Sequence, residues 1–341
     1  MRIGLVGTGR IGGFHASTLA AMAAVSEVVV ADVAPHRAEA LARELSVRDA
    51  GVREAGVRDA PLDRLFAEPL DGVVIAAATS AHAELLHQAI DHGVPAFCEK
   101  PVALDIPTSR EVTEHAEAAG VPVQMGFQRR FDAGYNRVRE AVHAGELGRI
   151  HTLRAVTGDV SPPPAQYLPT SGGLFRDCGI HDFDIMRWLT GREVLSVHAL
   201  GANGGASFFR SAGDVDTYVA VLRFEGDLLA TVTATRYNGA GHDVRLEVCG
   251  ELGGLVVGLD DRAALHSAEP SLSWQQQHPY ATFLERFHDA YVAEIAHFVE
   301  LAAGRAASPC TPTEALEALY VAEACDLSAR TGLPVQVASL R

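Results

Sequence analysis

The 341-residue sequence has a single lysine, Lys100, and arginine supplies the other 27 of its 28 basic side chains. These basic residues are too few to balance 43 Asp and Glu, so the formal net charge is −15. A general nucleic-acid binder needs a basic surface for phosphates, and attachment to anionic lipid needs basic clusters. We therefore expect neither nucleic acid nor membrane as a partner. The other proportions, 48% hydrophobic and 21% charged, are those of an ordinary globular protein.

The sequence also lacks cysteine motifs and long apolar runs. None of its five cysteines forms a Cys-x-x-Cys motif or lies at a zinc-ligand spacing with histidine, so we expect no metal site and a reducing cytoplasm. Gly7, Gly9 and Arg10 interrupt the apolar N-terminus, which argues against a signal peptide. The uncharged stretch 11–26 is shorter than the ~20 apolar residues of a membrane helix.

Short apolar runs alternate with helical segments in the first 123 residues. The strand-like runs are 2–6, 27–31, 73–77, 95–98 and 121–125, and the helical segments between them include 10–24, 35–45 and 81–92. Strands separated by helices of this length form parallel sheets of right-handed βαβ units. The fold class is therefore α/β, and residues 1–123 are predicted to form a doubly wound parallel sheet of the Rossmann type, a dinucleotide-binding domain.

The pattern changes after about residue 124. A helix at 134–144 is followed by alternating strand-like runs and then by two helices; the runs are 151–157, 218–224, 228–235, 244–249 and 255–258, and the helices are 283–303 and 313–331. We predict that residues 124–341 form an α+β domain with a large open, mainly antiparallel sheet. Such a sheet leaves one face uncovered, which indicates a homo-oligomer formed through it. The near repeat at 46–61 is interpreted as a short strand and a surface loop, with a charged arm as the alternative.

A glycine motif follows the first predicted strand. Gly7-x-Gly9-x-x-Gly12 encloses Arg10 and Ile11 and opens the first helix, and Asp32 ends the second strand twenty residues later. In a dinucleotide site these glycines allow a tight turn, close approach of the pyrophosphate and helix packing, while the acidic residue binds the ribose. A carboxylate there favours NAD over NADP, although Arg37 could reach a 2′-phosphate. The alternative is a glycine-rich turn with a solvent-facing aspartate.

The single lysine lies in Glu99-Lys100-Pro101, at the carboxyl end of a predicted strand. Ligands of α/β sheets bind at that edge. Unlike arginine, lysine has a pKa that falls when the amine is desolvated, so that it can hydrogen-bond a substrate hydroxyl and stabilise an alkoxide. We therefore predict a catalytic role for Lys100, with a leftover surface lysine as the alternative.

A third candidate group lies in the segment 172–191. Asp177, His181 and Asp184 have spacings of four and three residues, which place them on one face of a helix that Gly191 ends. A histidine beside a carboxylate on a rigid helix is typical of a general base. A solvated helix face and a metal site are the alternatives.

Together these motifs resemble the Gfo/Idh/MocA oxidoreductase family along essentially the whole chain. The resemblance to the family rests on residues 7–12, Asp32, and residues 99–101, 126–132 and 173–189. Within the family, residues 129–135 and 285–294 are similar to the inositol 2-dehydrogenase branch. It implies catalytic positions for Lys100, Asp177 and His181. It also implies contacts with polyol hydroxyls for Arg129 and Asp184, and a place along the nicotinamide for Thr79, Glu99, Lys100 and Gln128.

The resemblance implies an NAD-dependent enzyme that oxidises a secondary hydroxyl of a cyclic polyol or sugar, as myo-inositol 2-dehydrogenase does, and a homotetramer. His181 would take the hydroxyl proton while Lys100 binds the same oxygen and hydride passes to NAD. The chain departs from the family pattern at Gln128, where methionine is common, and across 159–171, with its three consecutive prolines. Two alternatives stay open: an NADP-linked sugar dehydrogenase or reductase, and a non-catalytic NAD-binding sensor.

Overall fold

The computed structural model describes residues 1–47, 55–271 and 277–341 of the chain. Its strands, in chain order, are β1 (Arg2–Val6), β2 (Glu27–Ala31), β3 (Gly56–Asp59), β4 (Gly72–Ile75), β5 (Ala96–Glu99), β6 (Val123–Gly126), β7 (Ile150–Gly158), β8 (Val194–Ala202), β9 (Thr217–Phe224), β10 (Leu229–Thr235), β11 (Asp243–Gly250), β12 (Gly254–Val257) and β13 (Val335–Gln336). Its α-helices are α1 (Arg10–Ala20), α2 (Pro35–Val47), α3 (Thr79–Asp91), α4 (Ile106–Ala119), α5 (Ala133–His143), α6 (Leu168–Ser171), α7 (Ile180–Thr190), α8 (Ser207–Ser211), α9 (Phe283–Arg286), α10 (His288–Ala302) and α11 (Pro312–Thr331). In this described part of the chain, no helix could serve as a membrane span.

The chain divides into two compact units. The first consists of Met1–Gln128 with Tyr291–Leu316, and the second of Arg129–Ala290 with Glu317–Arg341. The domain division predicted from the sequence, 1–123 and 124–341, stays a prediction. The two compact units differ from it because Tyr291–Leu316 packs with the N-terminal sheet.

The sheet of the first unit has six parallel strands in the order β3-β2-β1-β4-β5-β6. The chain runs outward from β1 to β3 and then returns to β4, so the strand order reverses between β1 and β4. A reversal of this kind opens a crevice at the carboxyl ends of the strands, where α/β proteins bind ligands. The predicted Rossmann-type sheet is confirmed.

Helix α10 completes the core of the first unit although it lies far along the sequence. Its residues Ile295, Phe298 and Val299 belong to the same buried cluster as residues of β1, β2, α1 and α2. Gly72 permits the close approach, because a Cβ there would lie 3.0 Å from both the Phe298 ring and the Ala302 side chain. The apolar face of the sheet is thus buried by a helix that the first 123 residues do not contain.

The sheet of the second unit has seven strands in the order β12-β11-β7-β10-β9-β8-β13. All neighbours are antiparallel except β7 and β10, so the predicted, mainly antiparallel sheet is confirmed. Strands β8 and β13 were absent from the sequence prediction. One face of the sheet is buried through alternate residues such as Leu222, Val232 and Leu246.

The opposite face of this sheet is exposed and partly apolar. Val221 is 49% exposed and is flanked by His198 on β8 and Thr231 on β10. Other exposed apolar side chains on the sheet are Leu200, Val219, Leu229 and Val256. Contiguous exposed apolar surface of this kind is typical of an interface between protein chains.

Two predicted segments differ in detail. The helix expected at 283–303 is broken into α9 and α10 at Phe287, whose φ of −113° and ψ of 21° leave the helical region. Phe287 is buried, and the Arg286 guanidinium lies 4.6 Å from its ring. Strand β3 supplies the short strand expected in the 46–61 repeat, while residues 48–54 lie outside the described residues.

We expect Phe298→Ala to lower the free energy of unfolding by about 3–5 kcal/mol, because it removes a fully buried ring from the core cluster of the first unit. Urea unfolding measures the change. Leu333→Ala, at an apolar side chain that is 64% exposed, is the control and should change stability by less than about 0.5 kcal/mol. Equal unfolding midpoints for the two variants would contradict the role given to α10.

Candidate active site

The glycine loop between β1 and α1 is packed tightly at two positions and open at the third. Gly7 has φ +93°, and a Cβ there would lie 2.5 Å from the Ala76 carbonyl oxygen. A Cβ on Gly12 would lie 1.8 Å from the Gly7 carbonyl oxygen. A Cβ on Gly9 would meet no atom within 4 Å, so this side of the loop can admit a pyrophosphate.

Helix α1 begins at Arg10, directly after Gly9. Glycine has no side chain to cap the helix, so amide groups of the first turn can bind an anion. Thr8, Gly9 and Arg10 also line a cavity of about 470 Å³, which extends between α1 and α2 as far as Arg37. The loop therefore has the open backbone and the donors that a diphosphate requires.

Asp32 lies at the end of β2, and hydrogen bonds fix its carboxylate. One oxygen accepts from the backbone amide and the hydroxyl of Thr8 at 2.8 and 2.7 Å, and the other accepts from the Ala34 amide at 2.9 Å. Burial by itself raises the pKa of Asp32, but these hydrogen bonds and the Arg37 charge outweigh it and leave the pKa below its usual value. The ionised carboxylate can accept from ribose hydroxyls and repels a 2′-phosphate, which fits NAD.

Two buried histidines hold the residues on either side of Lys100. His15 on α1 places its Nε2 2.9 Å from a carboxylate oxygen of Glu99, the last residue of β5. His82 on α3 places its Nδ1 2.8 Å from the Pro101 carbonyl oxygen. Burial lowers the pKa of His82, which favours the neutral imidazole. The Lys100–Pro101 peptide bond is cis.

The sequence interpretation missed both histidines. The available signals were local: His15 follows Gly12 by three residues on the first helix, and His82 follows Thr79 by three on α3. Right-handed crossovers place α1 and α3 on opposite faces of the sheet, so the two histidines approach β5 from both sides.

The remaining predicted cofactor residues lie at the same edge of this sheet. Thr79 is the first residue of α3, directly after β4 and its following turn. Glu99 pairs with Gly126 on β6, and a Cβ on Gly126 would lie 3.1 Å from the Glu99 carboxylate. Gln128 follows β6 by two residues and is buried. The predicted nicotinamide contacts of these residues stay predictions.

Asp177 lies in the second unit, on a π-helical turn (Phe175–Gly179) that directly precedes α7. One of its carboxylate oxygens accepts from the Tyr167 hydroxyl at 3.0 Å, and the other from Arg236 at 2.6 Å. His181 is the second residue of α7. The π turn corrects the predicted continuous α-helix, and it changes the angular relation between Asp177 and the residues that follow.

Arg129 and Asp184 are both buried, in two separate ion pairs. Arg129 binds Asp182 and donates to the Thr157 hydroxyl at 3.1 Å. Both oxygens of Asp184 accept from Arg130, at 2.6 and 2.9 Å. These contacts favour structural roles for both side chains, and their contact with a substrate stays a prediction. Asp177 and Asp184 were both expected on one helix face, but in the structure they have different hydrogen-bond partners.

Among the residues that the structure describes, no group of three or more His, Cys, Asp or Glu is arranged to hold a metal ion. The candidate residues carry groups for proton transfer and hydrogen bonding. A histidine, a fixed carboxylate and a lysine are the groups that alcohol oxidation with a nicotinamide cofactor uses.

Comparison with known proteins identifies the family of the chain. The family model described as an oxidoreductase family with an NAD-binding Rossmann fold matches residues 1–127, and the model of the GFO/IDH/MocA C-terminal domain matches residues 135–256. The myo-inositol dehydrogenase Hyg17 of Streptomyces leeuwenhoekii is 38% identical over 97% of this chain and 98% of its own length.

Two further proteins are similar over nearly their whole length. The scyllo-inositol 2-dehydrogenase (NAD(+)) of Bacillus subtilis strain 168 is 34% identical, over 99% of this chain and 96% of its own. The crystal structure of a myo-inositol dehydrogenase from Corynebacterium glutamicum superposes with a TM-score of 0.86 at 33% identity and covers 98% of both chains. The resemblance predicted from the motifs is confirmed: this chain belongs to the GFO/IDH/MocA oxidoreductase family, with an NAD-binding Rossmann fold at its N-terminus.

Proposed function

We propose that the protein is an NAD-dependent inositol 2-dehydrogenase, which oxidises a secondary hydroxyl of a cyclic polyol, myo-inositol above all, to a ketone. The observation that carries the proposal is the position of Lys100. The only lysine of the chain follows the carboxyl end of β5, and buried histidines hold both of its neighbours. Several inositol dehydrogenases are similar to this protein over nearly its full length.

In the proposed reaction, Lys100, Asp177 and His181 act on one hydroxyl group. His181 accepts the hydroxyl proton, and the Asp177 carboxylate stabilises the imidazolium that forms. The Lys100 ammonium donates a hydrogen bond to the same oxygen and stabilises its developing negative charge. When bound, NAD supplies the acceptor for the hydride that leaves the carbon atom. Proton transfer to a positioned base is worth roughly 10²–10⁴-fold in rate.

The proposed NAD site uses the carboxyl edge of the parallel sheet. The backbone at Gly7, Gly9 and Gly12, with Arg10 and Ile11, would hold the diphosphate. Asp32 would hold the adenosine ribose. The nicotinamide side would be held by Thr79, Glu99, Lys100 and Gln128. Arg129 and Asp184 have their own buried partners, so the mechanism does not depend on them.

We further propose that the chain forms a homo-oligomer, a tetramer as in the resemblance, through the exposed face of the seven-stranded sheet. Val219, Val221 and Leu229 make this face apolar enough for a second copy to bury. The reducing cytoplasm is the proposed compartment, because none of the five cysteines forms a disulfide.

The test of the function is a panel of inositols and sugars offered with NAD or NADP, followed by the absorbance of the reduced cofactor. Reduction of NAD with an inositol supports the proposal. Preference for NADP with an open-chain or pyranose sugar would identify a sugar dehydrogenase instead. Cofactor binding with no reduction across the whole panel would indicate a sensor.

We expect Lys100→Arg to lower kcat by about 10²–10³-fold while NAD affinity stays largely intact, because the proposed contacts at the glycine loop and Asp32 remain. The guanidinium keeps the charge, but its planar shape and its fixed protonation cannot reproduce a compact ammonium beside the reacting oxygen. Steady-state kinetics and NAD titration measure the two effects. Arg137→Lys, the reverse exchange at an exposed pair with Glu146, is the control and should leave kcat unchanged. A near-normal kcat for Lys100→Arg would remove the lysine from the mechanism.

Gly9→Ala and Gly12→Ala form a matched pair for the cofactor site. Alanine fits the backbone at Gly9 (φ −69°, ψ −171°), so stability should persist while NAD affinity falls about tenfold, ~1.4 kcal/mol. Gly12→Ala should reduce stability as well, because its Cβ overlaps the Gly7 carbonyl oxygen. Thermal unfolding and calorimetric titration with NAD separate the effects. Unchanged NAD affinity in Gly9→Ala would show that the diphosphate does not pass there.

Val221→Asp should dissociate the oligomer, because it places a charge at the centre of the exposed sheet face. The fold should persist, since the side chain is 49% exposed in the single chain. Sedimentation velocity measures the mass and circular dichroism the fold. Leu333→Asp, at an exposed apolar residue away from the sheet centre, is the control. An unchanged mass for Val221→Asp would place the interface elsewhere.

A further inference from the structure

The segment from Asp159 to Ser171 has no role in the proposed mechanism, and three of its four prolines are consecutive. The structure ties both of its ends to one ion pair. Asp159, at its start, accepts from Arg236 at 2.8 Å. Tyr167, near its end, donates to Asp177 at 3.0 Å. Arg236 in turn donates to Asp177 at 2.6 Å.

Arg236 is the centre of this cluster. It directly follows β10, and its side chain is only 4% exposed. Besides the two carboxylates, its guanidinium contacts the Cys178 sulfur at 2.9 Å. Burial by itself lowers the pKa of Arg236, but Cys178 and the two carboxylates outweigh it and raise the pKa above its usual value. The arginine therefore stays a cation between two anions.

The contacts of Asp177 fix the plane of its carboxylate. A carboxylate with one donor can still rotate about its Cβ–Cγ bond, whereas donors on both oxygens remove that freedom. Tyr167 is 43% exposed as a whole residue, but partial desolvation of its phenol, and then the Asp177 charge, raise its pKa above the usual value, so the phenol remains a hydrogen donor. Each carboxylate oxygen has a second lone pair, which leaves Asp177 able to accept further hydrogen bonds.

We propose that Tyr167 and Arg236 are positioning residues for the reaction: they fix the Asp177 carboxylate in the orientation in which it supports His181. The 159–171 segment is thereby part of the catalytic apparatus, through Asp159 and Tyr167 at its ends. This inference rests on the proposed function, because it takes the catalytic role of Asp177 from there.

Tyr167→Phe tests the inference, because it removes one hydroxyl and keeps the ring. Arg236 is less suitable, since its loss would strand two partly buried carboxylates and could unfold the protein. We expect kcat to fall about tenfold with little change in KM. The acid limb of the pH profile of kcat/KM reports the base, His181, and should move to lower pH, because a carboxylate that is no longer held in place stabilises the imidazolium less. Charged and titratable groups around this site include Asp159, Tyr167, Cys178, Asp214, Arg236 and His242.

Tyr280→Phe is the matched control. Tyr280 also donates its hydroxyl to an aspartate, Asp260, at 3.0 Å in the same unit. If Tyr167 were merely structural, both variants would lower the unfolding temperature and neither would shift the pH profile. A pH profile of Tyr167→Phe that coincides with those of wild type and Tyr280→Phe would overturn the inference.

A second comparison uses Asp177→Ala, with and without Tyr167→Phe. If Tyr167 acts through Asp177, its substitution should lower kcat no further once Asp177 is absent. An additional tenfold loss in the double variant would overturn the positioning role. Near-wild-type turnover by Asp177→Ala, or no turnover by wild type on the polyol panel, would instead overturn the proposed function itself. If Asp177→Ala lowers turnover but Tyr167→Phe does not, the positioning role is overturned and the proposed function stands.

Discussion

The hydrogen bond between His15 and Glu99 connects the two halves of the proposed chemistry within the first unit. His15 belongs to α1, whose first turn faces the diphosphate position, and Glu99 directly precedes Lys100. His15 is fully buried, and among the described residues its Nδ1 has no hydrogen-bond partner. The position of the lysine segment is therefore coupled to the helix of the phosphate loop.

The rarity of lysine has a structural reason in the second unit. Arg129, Arg130 and Arg236 are buried there, and each binds at least one carboxylate. A planar guanidinium can bridge two groups with fixed geometry, whereas an ammonium is a point charge that loses its proton more readily on burial. Arginine thus suits the buried ion pairs. Lysine suits the one position where the proposed reaction needs a compact ammonium as a hydrogen-bond donor.

The alternation of strands and helices was predictable because hydrophobic periodicity is local. Helix α4 also carried local signals, Asp105 as N-cap and Gly120 at its end, although the prediction omitted it. Strand β8 was harder to recognise, since a register shift between Val194 and Ser196 interrupts its alternation. The residues of the glycine loop, Asp32 and Lys100 could be found from motif and strand position alone. His15 carried only a local signal, its place on the first helix, and its partner Glu99 lies 84 residues away in sequence.

Neighbouring charges show a further limit of sequence interpretation. Arg129 and Arg130 are adjacent in sequence, and Asp182 and Asp184 are two residues apart. Spacing does not reveal which arginine binds which aspartate. Only the packing of the turn at Gln128–Phe131 against α7 decides that both pairs are buried. The same holds for α10, whose apolar residues indicate a buried helix without indicating which sheet it covers. Because that helix packs on β4 and β1, the stability of the nucleotide-binding sheet depends on a segment after residue 290. A chain that ended at residue 123 would leave this apolar face exposed to water, at a cost proportional to the area uncovered.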